Sequence, residues 1–450
     1  MAALPSLPEF NHTPQPYDGP SKEEVIATRK EHLCPSIFSY YKTPLMLVEG
    51  KMQYMFDETG RRYLDCFAGI VTVSVGHCHP KVTEAAVKQV SKLAHSTTIY
   101  LNPEVGNLAK ALTAKLPEKL SVCYFVNSGS EANDLAMLMA RAYTHNNDII
   151  ALRNAYHGMS PYTMGLTAHS TWKYNIPQGG GIHHAVNPDG YRGPWGYDEP
   201  DAATKYAADV QNLIQHATSG QIAAFFAESI QGVGGTVVFP DGYLKQVYEI
   251  VRKHGGLCIA DEVQTGFGRM GTHYWGFEAE GVVPDIVTMA KGIGNGAPLA
   301  AVVTTPEIAA VLSARIHFNT FGGNPVSSAI GQAVIAAIDE DKLQENSLVQ
   351  GKLFKDGLLE LKKKYPQVVG DVRGRGLMLG LDLVKDPKTK EGDKQAATDI
   401  MEFCKEHQVL VGRGGYFGNV IRIKPPMCIS SADVHYALAV LDAAIASLKK

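Results

Sequence analysis

From about residue 80 onward, short apolar runs alternate with stretches whose apolar residues recur at helical spacing. The runs are "VCYFV" (122–126), "IIAL" (149–152), "AAFFAE" (223–228), "LCIAD" (257–261), "IVTMA" (286–290) and "LAAVV" (299–303). They read as strands. Between them "EVGNLAKALTAKL" (104–116) and "EANDLAMLMARAY" (131–143) carry helical periodicity. Because the runs are continuously apolar rather than alternating, the strands they predict are covered on both faces, as in a largely parallel sheet. Ligands of such sheets bind beyond the carboxyl ends of the strands, so chemistry is expected just after each run.

A second region starts near residue 330 with the helix "SSAIGQAVIAAIDEDKL", followed by a glycine-rich apolar stretch over 368–384, a helix near 395–407 and "VIRIKPPMCI" (420–429). This order predicts an α+β unit. Residues 1–75, an arm followed by "MQYMFDETGRRYLD" with a hairpin around Glu58–Gly60, are expected to pack with it. The predicted division is therefore 1–75, a large unit over 76–330, and a C-terminal small unit over 331–450. No internal repeat is visible.

Composition narrows the function classes. In 450 residues the apolar fraction is 45%, the charged fraction 19% and the net charge −3, which gives no electrostatic footing for nucleic acid or a membrane surface. No apolar run approaches the roughly 20 residues of a membrane span. Seven scattered cysteines suit free thiols in a reducing compartment. "HCHP" (77–80) superficially suggests a metal site, but adjacent residues do not converge on one ion and no second cluster completes it; a turn into a helix starting at Pro80 is expected instead. The proline-rich amino terminus leads to a capping pattern at Ser21 and lacks the arginine-rich character of a transit peptide.

Chemistry is concentrated where the strands end. Ser128, Gly129 and Ser130 join "VCYFV" to the next helix, and amides and hydroxyls at a helix start suit a phosphate, or simply cap the helix. Asp261 ends its strand with Gln264 three residues on, and a carboxylate in that setting needs a cation or donor. Tyr156 and His157 follow "IIAL", where a ring could stack on a planar ligand or pack in the core. Lys291 ends an apolar run, and a partly desolvated amine there would be a nucleophile toward carbonyls, unless it merely snorkels to water. Thr320 lies in the glycine-rich "FNTFGGNP". Glu228 ends "AAFFAE", and Arg422 sits within the apolar "VIRIKPP", where it asks for a carboxylate. Gly266–Gly271 matches a dinucleotide fingerprint, but no helical period follows it, so hydride transfer is not expected.

In order, "NSGSEAN", "YHG", "DEVQTGFGR", "AKGIGNG" and "TFGGNP" resemble the class III aminotransferases, which depend on pyridoxal 5′-phosphate; the match runs from about residue 35 to the end. "FAGIVTVSVGHCHPKV" and "NPDGYRGPWG" resemble a branch that exchanges amino groups between alanine and glyoxylate. The resemblance implies a PLP-dependent transferase type I α/β fold, with a seven-stranded, mostly parallel sheet flanked by helices and a smaller α+β domain. It implies that Lys291 holds the cofactor as an internal aldimine and shuttles the proton, that Asp261 pairs with the pyridine nitrogen, and that Gln264 bonds the phenolic oxygen. Tyr156 would stack on the ring, with His157 beside it. Ser128, Gly129 and Ser130 would hold the phosphate, with Thr320 supplied across a homodimer interface, in a dimer or a dimer of dimers. Arg422 would grip the substrate carboxylate, Glu228 would mask that arginine, and Ile70 and Val71 would line the pocket. The expected reaction moves the amino group of L-alanine to glyoxylate; the alternatives are a β-amino acid or ω-amine transaminase using pyruvate, or an amino-alkyl phosphate phospho-lyase. Relatives of this kind are mostly mitochondrial. "ESIQG" departs from the commoner "EPIQG" at Ser229.

Overall fold

In the computed structural model, which describes residues 4–448, the amino-terminal arm leads to the helix Lys22–His32, closed at its start by a Ser21–Glu24 capping box. Three antiparallel strands follow: β1 (Leu47–Lys51), β2 (Tyr54–Asp57) and β3 (Arg62–Asp65). The helix Pro80–Lys92 begins at the proline of "HCHP", whose histidines are engaged elsewhere: His77 Nε2 bonds Asp65 and His79 Nε2 bonds Asp341, each at 2.8 Å.

The large sheet contains β4 (Val122–Val126), β5 (Ile149–Leu152), β6 (Ile182–Ala185), β7 (Ala224–Glu228), β8 (Leu257–Asp261), β9 (Ile286–Met289) and β10 (Ala300–Thr304). Its order is β4-β10-β9-β8-β7-β5-β6, with β10 alone antiparallel to its neighbours. Alternate residues of one strand enter different cores. Ile150, Leu152, Phe225, Ala227, Cys258 and Ala260 join the main cluster, while Ile149, Ala151, Phe226 and Ile259 join a second one formed with the helix Gly129–Thr144. Both faces are thus dry, which is why these strands read as unbroken apolar runs.

Beyond the helices Pro325–Glu340 and Leu343–Lys364, the chain forms β11 (Val369–Arg375), β12 (Met378–Asp386), β13 (Glu391–Gly392), β14 (Val409–Leu410), β15 (Gly412–Gly414) and β16 (Val420–Ile423). β11, β12, β16 and β15 make an antiparallel sheet, and β14 runs parallel to β3. That last pairing ties the first strands to the carboxyl-terminal region. Among the described residues, no helix is long and apolar enough to cross a membrane.

Candidate active site

Strand register sets the site. Glu228 and Asp261 lie opposite each other at the ends of β7 and β8, and Asp261 lies opposite Thr288 of β9, so residues leaving these strands emerge at one level. A cavity of about 930 Å³ opens there. Lys291, Asp261, Gln264, Tyr156 and His157 line it, as do Ser128, Gly129, Ser130, Glu228, Arg422 and Ile70. Two other positions fall outside that lining. Val71 is buried (2% exposed), with Gly69 and Thr72 facing the cavity in its stead, and Thr320 stands on the exposed surface.

Asp261 is held by three donors. His157 Nδ1 lies 2.7 Å from its Oδ2, Asn133 Nδ2 donates to that same oxygen at 2.9 Å, and the Val263 amide donates to Oδ1 at 3.1 Å. Asn133 also donates to the His157 carbonyl at 2.8 Å, so helix, turn and strand are fastened at one point. Such a carboxylate is fixed before any ligand arrives.

Ser128 caps the helix Gly129–Thr144 by accepting from the Glu131 amide, and Ser130 Oγ accepts from the Met159 amide at 3.2 Å. A Cβ at Gly158 would fall 2.5 Å from Ser130 Oγ and 2.6 Å from Thr163 Oγ1, and φ there is +131°; only glycine lets this turn close over the helix start. Ser128, Gly129 and Ser130 at this helix start line the cavity, a setting that favours an anion.

Lys291 follows an extended Ala290 and has φ +50°, a left-handed backbone costing roughly 1–2 kcal/mol for a non-glycine residue. Burial, reinforced by the Arg422 guanidinium and opposed by Asp261 and Glu228, pushes its amine down to about 8. A larger fraction of such amines is unprotonated at neutral pH. Burial likewise raises Glu228, with the neighbouring Asp261 adding to the effect. Glu228 accepts from the Gly232 amide at 2.7 Å and the Tyr156 amide at 3.2 Å. Among the described residues it forms no hydrogen bond with Arg422, whose Nη2 instead donates to Gln264 Oε1 at 3.0 Å while its Nε has no hydrogen-bond partner. A buried guanidinium with a spare donor is ready for a carboxylate.

Residues 67–72 make the cavity's lip. Asp65 Oδ1 accepts from the amides of Phe67 (2.9 Å) and Ala68 (2.7 Å), and Ala68, Gly69, Ile70 and Val71 follow with φ of +51°, +57°, +64° and +65°. Bonds from Val71 N–H to Phe67 O (3.0 Å) and from Thr72 N–H to Ala68 O (2.8 Å) close this left-handed turn. The turn leaves Ile70 47% exposed at the mouth.

Sequence reasoning missed Asn133 and Lys424, as well as the aromatic rim of Phe38, Phe67, Trp172, Tyr416 and Phe417. Asn133 had a signal, being a polar residue on the apolar face of its helix. At Ser229 the hydroxyl donates to the buried Glu262 carboxylate, a bond that the commoner proline does not make.

Residues 38–445 match the family described as Aminotransferase class-III, and the chain belongs to that family. Its fold is the PLP-dependent transferase type I fold, and the chain is an aminotransferase. Within the family it is 54% identical over 436 residues to the Arabidopsis thaliana protein named alanine–glyoxylate aminotransferase 2 homolog 2, mitochondrial, covering 97% of this chain and 90% of that one. The Homo sapiens alanine–glyoxylate aminotransferase 2, mitochondrial, is 48% identical over 461 residues, with 98% and 90% covered. Among solved structures, a phospholyase from Arthrobacter in complex with phosphoethanolamine superposes with a TM-score of 0.88 at 33% identity, covering 94% of this chain and all of that one (100%).

Proposed function

We propose that this aminotransferase moves the amino group of L-alanine to glyoxylate, giving pyruvate and glycine. The observation that carries the chemistry is the convergence, in one cavity, of a lysine amine lowered to about 8, a carboxylate fixed by three donors and the start of a helix lined with hydroxyls. The substrate pair comes from the two relatives whose names state it.

These residues fit pyridoxal 5′-phosphate. The helix start at Ser128–Ser130 matches a phosphate, Asp261 a protonated pyridine nitrogen, and Lys291 a carbonyl; the cavity also falls within the usual range for a cofactor and small substrate. When bound, the cofactor supplies an electron sink for the carbanion left at the substrate α-carbon. Lys291 would hold it covalently, and Lys291 Nζ moves the proton at the substrate α-carbon. Asp261, oriented by His157 and Asn133, keeps the ring nitrogen protonated, and Tyr156 and Gln264 orient the ring. The Arg422 guanidinium, which lines the cavity, takes the substrate carboxylate. Glu228, fastened to the Tyr156 and Gly232 amides, leaves Arg422 unmasked in this arrangement.

We further infer a homodimer with shared sites. Thr320 is exposed close to the outward-facing Ile316 (99% exposed), Phe318 (51%) and Phe321 (61%), an apolar surface that calls for a partner, and a second copy would present Thr320 to its neighbour's phosphate site. The mitochondrial names of the relatives support the same compartment for this chain.

The test is an absorbance spectrum of cofactor-loaded protein before and after L-alanine alone. The lysine-bound form is expected to be lost with release of pyruvate, and glyoxylate is expected to restore it. A spectrum that ignores alanine but responds to a β-amino acid, an ω-amine or an amino-alkyl phosphate with phosphate release overturns the substrate assignment.

A further inference from the structure

Lys424 has no part in the reading above. It follows β16 directly, two residues after Arg422, and is completely buried. Its backbone N–H donates to the Cys66 carbonyl at 2.8 Å, and its Nζ donates to Gln264 Oε1 at 3.2 Å, the oxygen that Arg422 Nη2 reaches at 3.0 Å. Burial, with Arg422, Lys291 and Arg269 as nearby cations and Glu228 as a weaker counterweight, drives the amine well below the usual lysine range. An apolar residue would fill such a position at less desolvation cost, so the donor itself needs an explanation.

The Gln264 amide is clamped on another side too. A Cβ at Gly232 would fall 2.3 Å from Gln264 Oε1 and 2.6 Å from its Nε2, so bare backbone presses on the amide. Two N–H donors meet the oxygen end of the amide, and exchanging its two ends would break both bonds and set the N–H₂ against the Arg422 guanidinium, which only donates. The nitrogen end is therefore left for the cavity, which Gln264 lines.

We propose that Lys424 is a positioning residue that locks the Gln264 amide with its N–H₂ toward the cavity, so that Gln264 donates to the ligand there and never presents its carbonyl. The inference rests on the proposed function, in which that ligand atom is the phenolic oxygen of pyridoxal 5′-phosphate. Arg422 alone is an unreliable lock, because a substrate carboxylate competes for the same guanidinium. Lys424 is fully buried and does not line the cavity, so a substrate carboxylate there does not reach it. Gln264 thus keeps its orientation whether or not substrate occupies Arg422.

A donor on the phenolic oxygen makes that oxygen a poorer acceptor for the proton it shares with the lysine-bound nitrogen, so the pH midpoint of the colour change reports Gln264's orientation. The experiment titrates the visible absorbance of cofactor-loaded wild type, Lys424→Met, Lys424→Gln, Gln264→Ala and the Lys424→Met/Gln264→Ala double variant. Loss of one neutral hydrogen bond should raise the midpoint by about half a unit to one unit in Lys424→Met and in Gln264→Ala. The double variant should rise no further than Gln264→Ala, and Lys424→Gln, which keeps an N–H donor, should stay near wild type. Lys424→Leu, a normal core residue, replaces the methionine variant if that one does not fold. An unchanged midpoint in the apolar variants, or an equal rise with and without Gln264, overturns this inference and leaves the proposed function standing. Wild type that binds no cofactor at Lys291 overturns both.

Discussion

On the sheet side of the cavity, polar groups are tied to one another: Asp261 takes three donors, and Asn133 bridges it to the His157 carbonyl. On the opposite side, built by β16, β15 and the lip at 67–72, Arg422 Nε has no hydrogen-bond partner among the described residues and the aromatic rim stands open, with Tyr416 51% and Phe417 49% exposed. In the proposed reaction the sheet side would meet what stays constant, the cofactor. The other side would meet what changes, first one amino or oxo acid and then another. Preorganised charge belongs where the ligand is fixed, and spare hydrogen-bonding capacity where it is exchanged.

The contrast can be tested by where the damage falls. Asp261→Asn is expected to lower kcat by about 10²- to 10³-fold for every amino donor alike, with the KM for alanine little changed; steady-state kinetics with alanine and with a simple amine check this. Arg422→Lys is expected to raise the KM for alanine by roughly 10- to 100-fold and to spare an amine that carries no carboxylate. An equal loss for both donors would remove the distinction between the two sides. The smallest effect concerns Lys291, whose folded value near 8 lies below the ordinary 10.5. Between these values the unfolded chain binds the extra proton, so folding stability rises with pH across that window, and below about 8 the full penalty applies. Cofactor-free Lys291→Met should therefore be more stable than wild type at pH 7, by about 1–3 kcal/mol, with the advantage fading as pH rises from about 8 to 10.5. Urea midpoints across pH measure it, and a difference that does not change with pH would show that the charge on the buried amine is not its source.

The sheet side was legible in the sequence because the apolar runs of β7 and β8 stop at residues that face the cavity, Glu228 and Asp261. β6 was not legible. Its "IHHA" occupies the sheet edge, where His183 bonds Asp148 at 2.9 Å, so two half-exposed histidines interrupt the apolar pattern. Lys424 escaped notice because Arg422 already accounted for charge in that run; no local pattern tells which of two cations ends beneath the other. At the lip, a sequence reading has no means of anticipating β-branched residues with positive φ. Gly69, Ile70 and Thr72 face the cavity there, and Val71 turns inward.

That lip is a fragment of mirror-image helix written in ordinary amino acids. Each non-glycine residue in it works against its own chirality at a cost of roughly 1–2 kcal/mol, and at Ile70, half out in the water, packing returns little of it. Glycine would be the easier choice for the fold. Isoleucine in that place means that the contour of the entrance has been favoured over thermal robustness. Attempts to make the protein hardier would find spare stability at its doorway, and would alter what passes through it.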